Sequence, residues 1–259
     1  MVNADSDVEE LRTATVNLTV AGRKVCLRLN VPAGPTRPID LLPLFQFVTD
    51  TFVRIAVDSA QADGRTISCR KGCGACCRQL VPISDIEVES IRRLVEKLAE
   101  PRRSMVIERF EQARQRLEQS GLLEQLRMPQ RVGGKNVRSV ATAYFEQGIP
   151  CPFLEDESCS IHPDRPLACR EYLVTSPAAN CKKPSAESIQ CVEIPAKVSR
   201  SIRHLDTGKA NGASTWIPMI LALEWPLARQ HISEAPAGTA SVARLFEHLA
   251  GKPIPEARL

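Results

Sequence analysis

Residues 69–78, CRKGCGACCR, contain four cysteines in close succession, and this cluster is the main clue to the fold. A second cysteine-rich stretch, CPFLEDESCSIHPDRPLACREY, follows at 151–172, and two more cysteines stand at 181 and 191. From Pro150 to Pro195 the chain shows little periodicity, and so long an irregular segment inside a compact protein needs something to hold it. The clustered thiols predict that a metal ion or a metal cluster does so.

The first stretch has the local features of a thiolate metal site. Cys73 and Cys76 form a C-x-x-C unit, and the glycines beside them allow a tight turn whose backbone N–H groups point at sulfur. Such donors offset the negative charge of metal-bound thiolates. If a helix begins near Gly74, Cys73 and Cys77 share one of its faces, whereas the adjacent Cys76 and Cys77 point apart.

The second stretch offers further ligands and nearby cations. Cys151 and Cys159 are spaced as the two ends of a hairpin, and His162 follows Cys159 at a distance typical of zinc ligands. Because several thiolates brought together accumulate negative charge, we expect cations to compensate it. The candidate cations lie beside the cysteines and are Arg78, Arg165 and Arg170. The roles of His162 and Cys191 stay open.

Composition narrows the class of protein. The chain has 259 residues, enough for one large domain or two small ones. A formal net charge of +4 and an aromatic content of 4% argue against a nucleic-acid partner. The N-terminal sequence MVNADSDVEELRT lacks the basic and apolar regions of an export signal, and the longest apolar run is too short to span a bilayer. We therefore expect a cytoplasmic protein without a membrane partner, where clustered cysteines indicate metal or redox chemistry rather than disulfides.

Periodicity elsewhere predicts a mainly helical α+β protein. Residues 13–31 alternate like a β-hairpin, with Cys26 on the polar face. Ser84 and Glu87 match a capping box ahead of an apolar helical stripe, and Pro101 begins a second helix that closes at Gly121. The remaining predicted helices lie near 42–57, 136–147, 215–229 and 240–250, with a loop at 127–136.

These elements suggest three segments. Residues 1–62 would hold the N-terminal hairpin and a helix, and residues 63–195 a cysteine-cluster domain with a helical-hairpin insertion. Residues 196–259 would form a C-terminal helical segment. The expected architecture is a loop-rich, metal-bound cysteine core flanked by helices.

The two quoted stretches, taken from 69 to 84 and from 151 to 172, resemble the CxxCxxCC cysteine-cluster family. The resemblance covers about residues 69–181, and members of this family are described as zinc- or iron-chelating domains, with flagellin lysine N-methylases as the best-known relatives. One difference is that three residues, not two, separate Cys69 from Cys73. The resemblance implies that the metal ligands are Cys69, Cys73, Cys76, Cys77, Cys151, Cys159, Cys169 and Cys181, with Arg165 and Arg170 in an RP-x-x-CR motif.

Several functions remain open at this point. An all-thiolate set suits both iron–sulfur clusters and zinc. We favour a 4Fe-4S cluster because the family resemblance leans that way and because the cysteines outnumber one zinc site; the spacing does not decide between them. One hypothesis is an enzyme that uses S-adenosylmethionine to methylate lysine on a protein substrate, as the resemblance implies; its catalytic residues are unknown. The alternative is a zinc- or iron-binding structural or sensor module without turnover. A thiol–disulfide oxidoreductase using Cys73 and Cys76 lacks the required βαβ context.

Overall fold

The computed structural model describes residues 10–20, 23–132, 134–185, 187–205, 216–227 and 235–250. Its elements follow in the order β1 (Leu11–Val20), β2 (Arg23–Pro32), α1 (Leu42–Ala62), β3 (Pro82–Ile83), α2 (Asp85–Lys97), α3 (Arg102–Gln119), α4 (Leu123–Arg127), α5 (Gly134–Glu146), β4 (Leu154–Glu155), β5 (Ser158–Cys159), α6 (Leu167–Arg170), α7 (Val198–Ser201), β6 (Ile217–Pro218) and α8 (Gly238–Ala250). Helices dominate and the strands pair only in twos, so the predicted mainly helical α+β fold with an N-terminal hairpin is confirmed.

The N-terminal hairpin directs alternate side chains into the main core. β1 and β2 pair antiparallel, with Val16 opposite Leu27. Both of these side chains are buried, while Cys26 is exposed on the other face. The sequence alternation predicted this arrangement because successive side chains of a strand point to opposite faces. The centre of the predicted turn, residues 21–22, lies outside the described residues.

Two helices complete the main core. α1 extends beyond the predicted 42–57 and buries Phe45, Val48 and Phe52 in the same apolar cluster as the hairpin. α8 begins against β2 so closely that a Cβ atom on Gly238 would lie 2.6 Å from the carbonyl oxygen of Pro32. The cysteine-rich segment also contributes to this cluster through Leu167, Val192 and Ile194.

The predicted helical hairpin is formed by α2 and α3. The Ser84 hydroxyl accepts a 3.2 Å hydrogen bond from the Glu87 backbone N–H, and the Glu87 carboxylate accepts one of 2.9 Å from the Ser84 N–H, which confirms the capping box. On α3, Phe110 meets Phe153 edge to face with ring centroids 5.6 Å apart. The helical hairpin is therefore packed against the second cysteine stretch.

Two regions differ from the prediction. The segment expected as a loop near 127–136 contains the end of α4 and a 3-10 turn, because Leu123 and Leu126 are buried in a third apolar cluster with Ile149. The predicted helix at 215–229 is wrong within the described residues 216–227. There Ile217 and Pro218 form β6, which pairs with β3, followed by a 3-10 turn.

None of the helices in the described part of the chain combines the length and apolar character needed to cross a bilayer.

Candidate metal centre

The first cysteine stretch forms a tight turn rather than an α-helix. Residues Ala75–Arg78 make a 3-10 turn, in which the Cys77 N–H donates to the Gly74 carbonyl. Three residues complete each turn of this helix, so the predicted four-residue face shared by Cys73 and Cys77 does not form. The prediction that Cys76 and Cys77 point apart is also wrong, since their thiols hydrogen-bond to each other.

The second stretch presents two sulfurs from the predicted hairpin. β4 and β5 pair antiparallel with Leu154 opposite Cys159, and Cys151 precedes β4. The sulfur of Cys151 accepts a hydrogen bond from the Phe153 N–H, and that of Cys159 accepts one from the Ile161 N–H. Backbone N–H groups directed at sulfur in this way stabilise negative charge on a thiolate.

Cys169 lies in the short helix α6, whose start is held by a buried carboxylate. The Leu167 N–H donates to Glu87 Oε1 at 2.8 Å, and Glu87 is 3% exposed. This contact ties α6 to the capping box of α2. Sequence reasoning found the role of Glu87 in the capping box but not this second role, because the long-range contact leaves no local signal.

Direct contacts join the two cysteine stretches. The Cys151 N–H donates to the Cys77 carbonyl at 2.7 Å, and the Val174 N–H lies 3.4 Å from the sulfur of Cys69. The 3-10 turn Ala178–Lys182, which contains Cys181, packs against the 3-10 turn Ala75–Arg78. Thiols that are far apart in sequence therefore converge in space.

The converging thiols divide into two groups, and Cys76 interacts with members of both. Cys169 interacts electrostatically with Cys151, Cys76 and Cys159. Cys181 interacts instead with Cys69, Cys73, Cys76 and Cys191. We call the set of Cys76, Cys151, Cys159 and Cys169 the inner group, and the set of Cys69, Cys73 and Cys181 the outer group.

The inner group is held as neutral thiols in the absence of a counter-charge. Burial raises the pKa of Cys151 to about 12 and raises that of Cys169 well above its usual value. The pKa of Cys76 is also raised, first by its hydrogen bond with Cys77 and then by burial. A buried thiolate needs a cation to stabilise its charge.

The three candidate arginines have different surroundings. Arg78 donates to Glu157 Oε1 at 2.7 Å and to the Gly74 carbonyl at 3.0 Å, and so fastens the first turn to the β4–β5 hairpin. Arg170, 6% exposed, donates to the Asp50 carboxylate at 2.9 Å and to the Arg165 carbonyl at 3.0 Å. Both therefore hold the chain in place. The partnership with Asp50 was not predicted.

The charge of Arg165 acts on several of the thiols, whereas that of Arg78 acts on Cys77. Burial raises the pKa values of Cys69 and Cys159, and the positive charge of Arg165 opposes this rise. The Arg165 Nε is buried and has no hydrogen-bond partner among the described residues. An unpartnered buried donor costs free energy, and its position beside sulfur suits an anionic acceptor.

The remaining candidate residues, His162 and Cys191, lie at the exposed edge of the thiol centre. His162 is exposed, and the charge of Arg165, followed by burial, lowers its pKa. Cys191 is also exposed, and its backbone bridges to Val174. All ten cysteines are free, so the convergence does not depend on disulfides. Within the described ranges, no three His, Cys, Asp or Glu side chains stand in an arrangement that could hold a metal ion.

Free thiols from two distant stretches, N–H donors on sulfur and an arginine whose Nε lacks a hydrogen-bond partner among the described residues define the class as a thiol-rich chelating domain. Residues 68–191 match the family model described as "CxxCxxCC: Putative zinc- or iron-chelating domain". This segment of the chain is therefore a CxxCxxCC domain, as its motifs indicated. Neither a curated protein nor a solved structure matches the chain.

Proposed function

We propose that the chain is a cytoplasmic iron–sulfur protein whose cluster is bound by the inner group of thiols. The observation that carries this proposal is the convergence of Cys76, Cys151, Cys159 and Cys169 from three separate elements. Cys76 comes from the first turn, the next two from the β4–β5 region and the last from α6. Four cysteines match the number of ligands that a 4Fe-4S cluster takes.

The chemistry of the donor set fits this cofactor. Thiols are the ligands that iron–sulfur clusters use, and N–H donors reach the sulfurs of Cys151 and Cys159. The unpartnered Nε of Arg165 would donate to a thiolate or a cluster sulfide. The described side chains would have to rotate to close around a metal, because they do not yet form a ligand set. When bound, the cluster supplies reversible one-electron chemistry.

The outer group adds to the preference for iron–sulfur over zinc. A single zinc site takes four ligands, which the inner group alone would supply. Cys69, Cys73 and Cys181 are then three further thiols that one zinc ion does not need. They would serve a second metal or support the first. Zinc bound by the same inner thiols is the alternative, and measurement of iron, zinc and sulfide in the purified protein separates the two.

Lysine methylation with S-adenosylmethionine is the catalytic version of this hypothesis and rests on the family resemblance. A methylase would need a cofactor pocket beside the thiols. Two cavities among the described residues are lined by side chains of α4, α5 and the connection between them, and no cysteine lines either of them. The converging thiols are the supporting observation, so our proposal is metal binding without a methyl-transfer step.

The proposal is tested by anaerobic purification followed by measurement of iron, zinc and acid-labile sulfide per chain. We expect iron and sulfide in equal amounts and an absorbing, brown preparation. The variants Cys169→Ser and Cys73→Ser should each lower metal affinity by at least about 10-fold, the loss that follows removal of even a supporting group. Cys26→Ser is the matched control and should keep full metal content, because Cys26 is exposed on the hairpin.

Two results would contradict the proposal. Tightly bound zinc without sulfide would show that the thiols form a zinc site and do not bind a cluster. Full metal content in Cys169→Ser would show that Cys169 is not a ligand, and would rule out the inner group as the ligand set.

A further inference from the structure

Four exposed cations stand beside the outer group of thiols. Arg70 and Lys71 lie between Cys69 and Cys73, and Lys182 and Lys183 follow Cys181 directly. All four side chains are exposed. We call Arg70, Lys71, Lys182 and Lys183 the basic rim.

The fold brings the two halves of this rim together. The turns Ala75–Arg78 and Ala178–Lys182 pack against each other, and Cys181 interacts electrostatically with both Cys69 and Cys73. Lys182 also acts on Glu157, the carboxylate that Arg78 binds. The four cations therefore flank, in sequence, thiols that the fold brings near one another.

The rim cations lack the internal partners that some other surface cations have. On α3, for example, Arg114 pairs with Glu111 and Glu118. Within the described ranges no hydrogen bond or ion pair engages the side chains of the basic rim, and Glu157 is already bound by Arg78. One exposed carboxylate, Glu187, follows in the sequence, and Arg138 interacts with it. The rim thus presents a net positive charge to solvent.

An acidic protein surface fits this patch better than a nucleic acid does. Exposed like charges near a centre steer an oppositely charged partner and set its orientation. Binding of single-stranded bases relies on aromatic side chains as stacking surfaces. Tyr172, which is near these thiols, is half-buried, and its hydroxyl accepts a hydrogen bond from Gln79.

We propose that a protein with an acidic surface docks on the basic rim and so approaches the outer thiols. This inference goes beyond metal binding and holds whether the centre contains iron or zinc. A patch of four cations suits a small, transient interface of the kind that redox partners form.

The test measures binding of a fluorescently labelled polyglutamate peptide to the purified full chain by anisotropy at low and high salt. The rim variant carries Arg70→Gln, Lys71→Gln, Lys182→Gln and Lys183→Gln. The control carries Lys24→Gln, Arg28→Gln, Arg54→Gln and Lys97→Gln, which remove the same charge at exposed positions elsewhere. We expect the rim variant to bind at least about 10-fold more weakly at low salt, and the control to bind within about twofold of the unmodified chain.

Two outcomes would overturn the inference. Equal losses of affinity in both variants would mean that peptide binding depends on net charge alone and not on the basic rim. Tighter, rim-dependent binding of a single-stranded oligonucleotide of matched charge would assign the surface to nucleic acid. Metal content is measured on the same samples, so a metal-free chain that still binds through the rim would refute the proposed function and leave this inference standing.

Discussion

Glu87 connects the local structure of α2 to the position of Cys169. Its carboxylate accepts hydrogen bonds from the Ser84 N–H, the Ser84 hydroxyl and the Leu167 N–H. Burial raises the pKa of Glu87, and the bonds from Ser84 and Leu167 oppose that rise. Replacing this buried acceptor is costly, because each lost hydrogen bond leaves a buried donor with neither a protein partner nor water.

We predict that Glu87→Gln destabilises the protein by about 1–3 kcal/mol, since the new amide N–H₂ faces a donor that it cannot satisfy. Glu89→Gln is the control on the same helix. Glu89 pairs with Arg93 at the surface, and loss of such a pair costs about 1 kcal/mol or less. Urea unfolding of both variants measures the difference, and equal midpoints would show that Glu87 has no special structural role.

The capping box was predictable from sequence, whereas the Leu167 contact was not. Ser84 and Glu87 are three residues apart, so their interaction is encoded in local spacing. The bond from the Leu167 N–H spans 80 positions and depends on how α6 packs against α2. Arg170 is similar, because its motif is visible in the sequence but its partner Asp50 lies in α1.

Among the elements of the centre, the turn at Ala75–Arg78 and the β4–β5 hairpin approach each other closely at Gly74. A Cβ atom on Gly74 would lie 2.7 Å from both Glu157 Oε2 and Leu154 Cδ1, and 3.2 Å from the Cα of Glu157. The Glu157 and Leu154 side chains can move away from such a Cβ atom, but the Glu157 backbone can do so only if the whole hairpin shifts. The close approach of the two elements therefore requires glycine at position 74.

We predict that Gly74→Ala costs about 1–3 kcal/mol and weakens metal binding, because overpacking separates Cys76 from Cys151. Gly34→Ala is the control, since a Cβ atom there would meet nothing within 4 Å. Thermal unfolding and metal content are measured on both. A Gly74→Ala protein that matches the Gly34→Ala protein in both readouts would contradict the close-packing argument.

Elements that follow from their own apolar periodicity were predicted well. Elements that form only by pairing with a distant segment were not. The N-terminal hairpin, α1, α2, α3, α5 and α8 follow from apolar spacing and turn residues. The predicted helix at 215–229 failed because Pro218 enters a short strand opposite Pro82, a contact with no local signature. For the candidate centre, clustering of the thiols was visible in the sequence, but their division into inner and outer groups depends on tertiary structure.

Within the described part of the chain, the cysteine segment contributes few large side chains to the apolar clusters. Leu167, Val192 and Ile194 enter the main core, and Phe153 and Ile161 enter the cluster formed with α2 and α3. Much of residues 150–195 consists of turns and two-residue strands. Such a segment has little apolar burial of its own to oppose conformational entropy. The division into three segments stays a prediction.

We predict that removing the metal with a chelator under reducing conditions lowers the melting temperature by at least about 10 °C, because structural metal sites supply several kcal/mol of folding free energy. Hydrogen exchange should then accelerate at 69–78 and 151–191. The buried face of α1 provides the internal control and should stay protected. An unchanged melting temperature would mean that the centre does not contribute to stability.

The irregular tract between Pro150 and Pro195 also has a consequence for the life of the protein in the cell. A newly made chain without its inorganic component would expose this tract to proteases, while its helical parts could already be folded. We expect the amount of the protein at steady state to follow the supply of its metal, with no change in its synthesis.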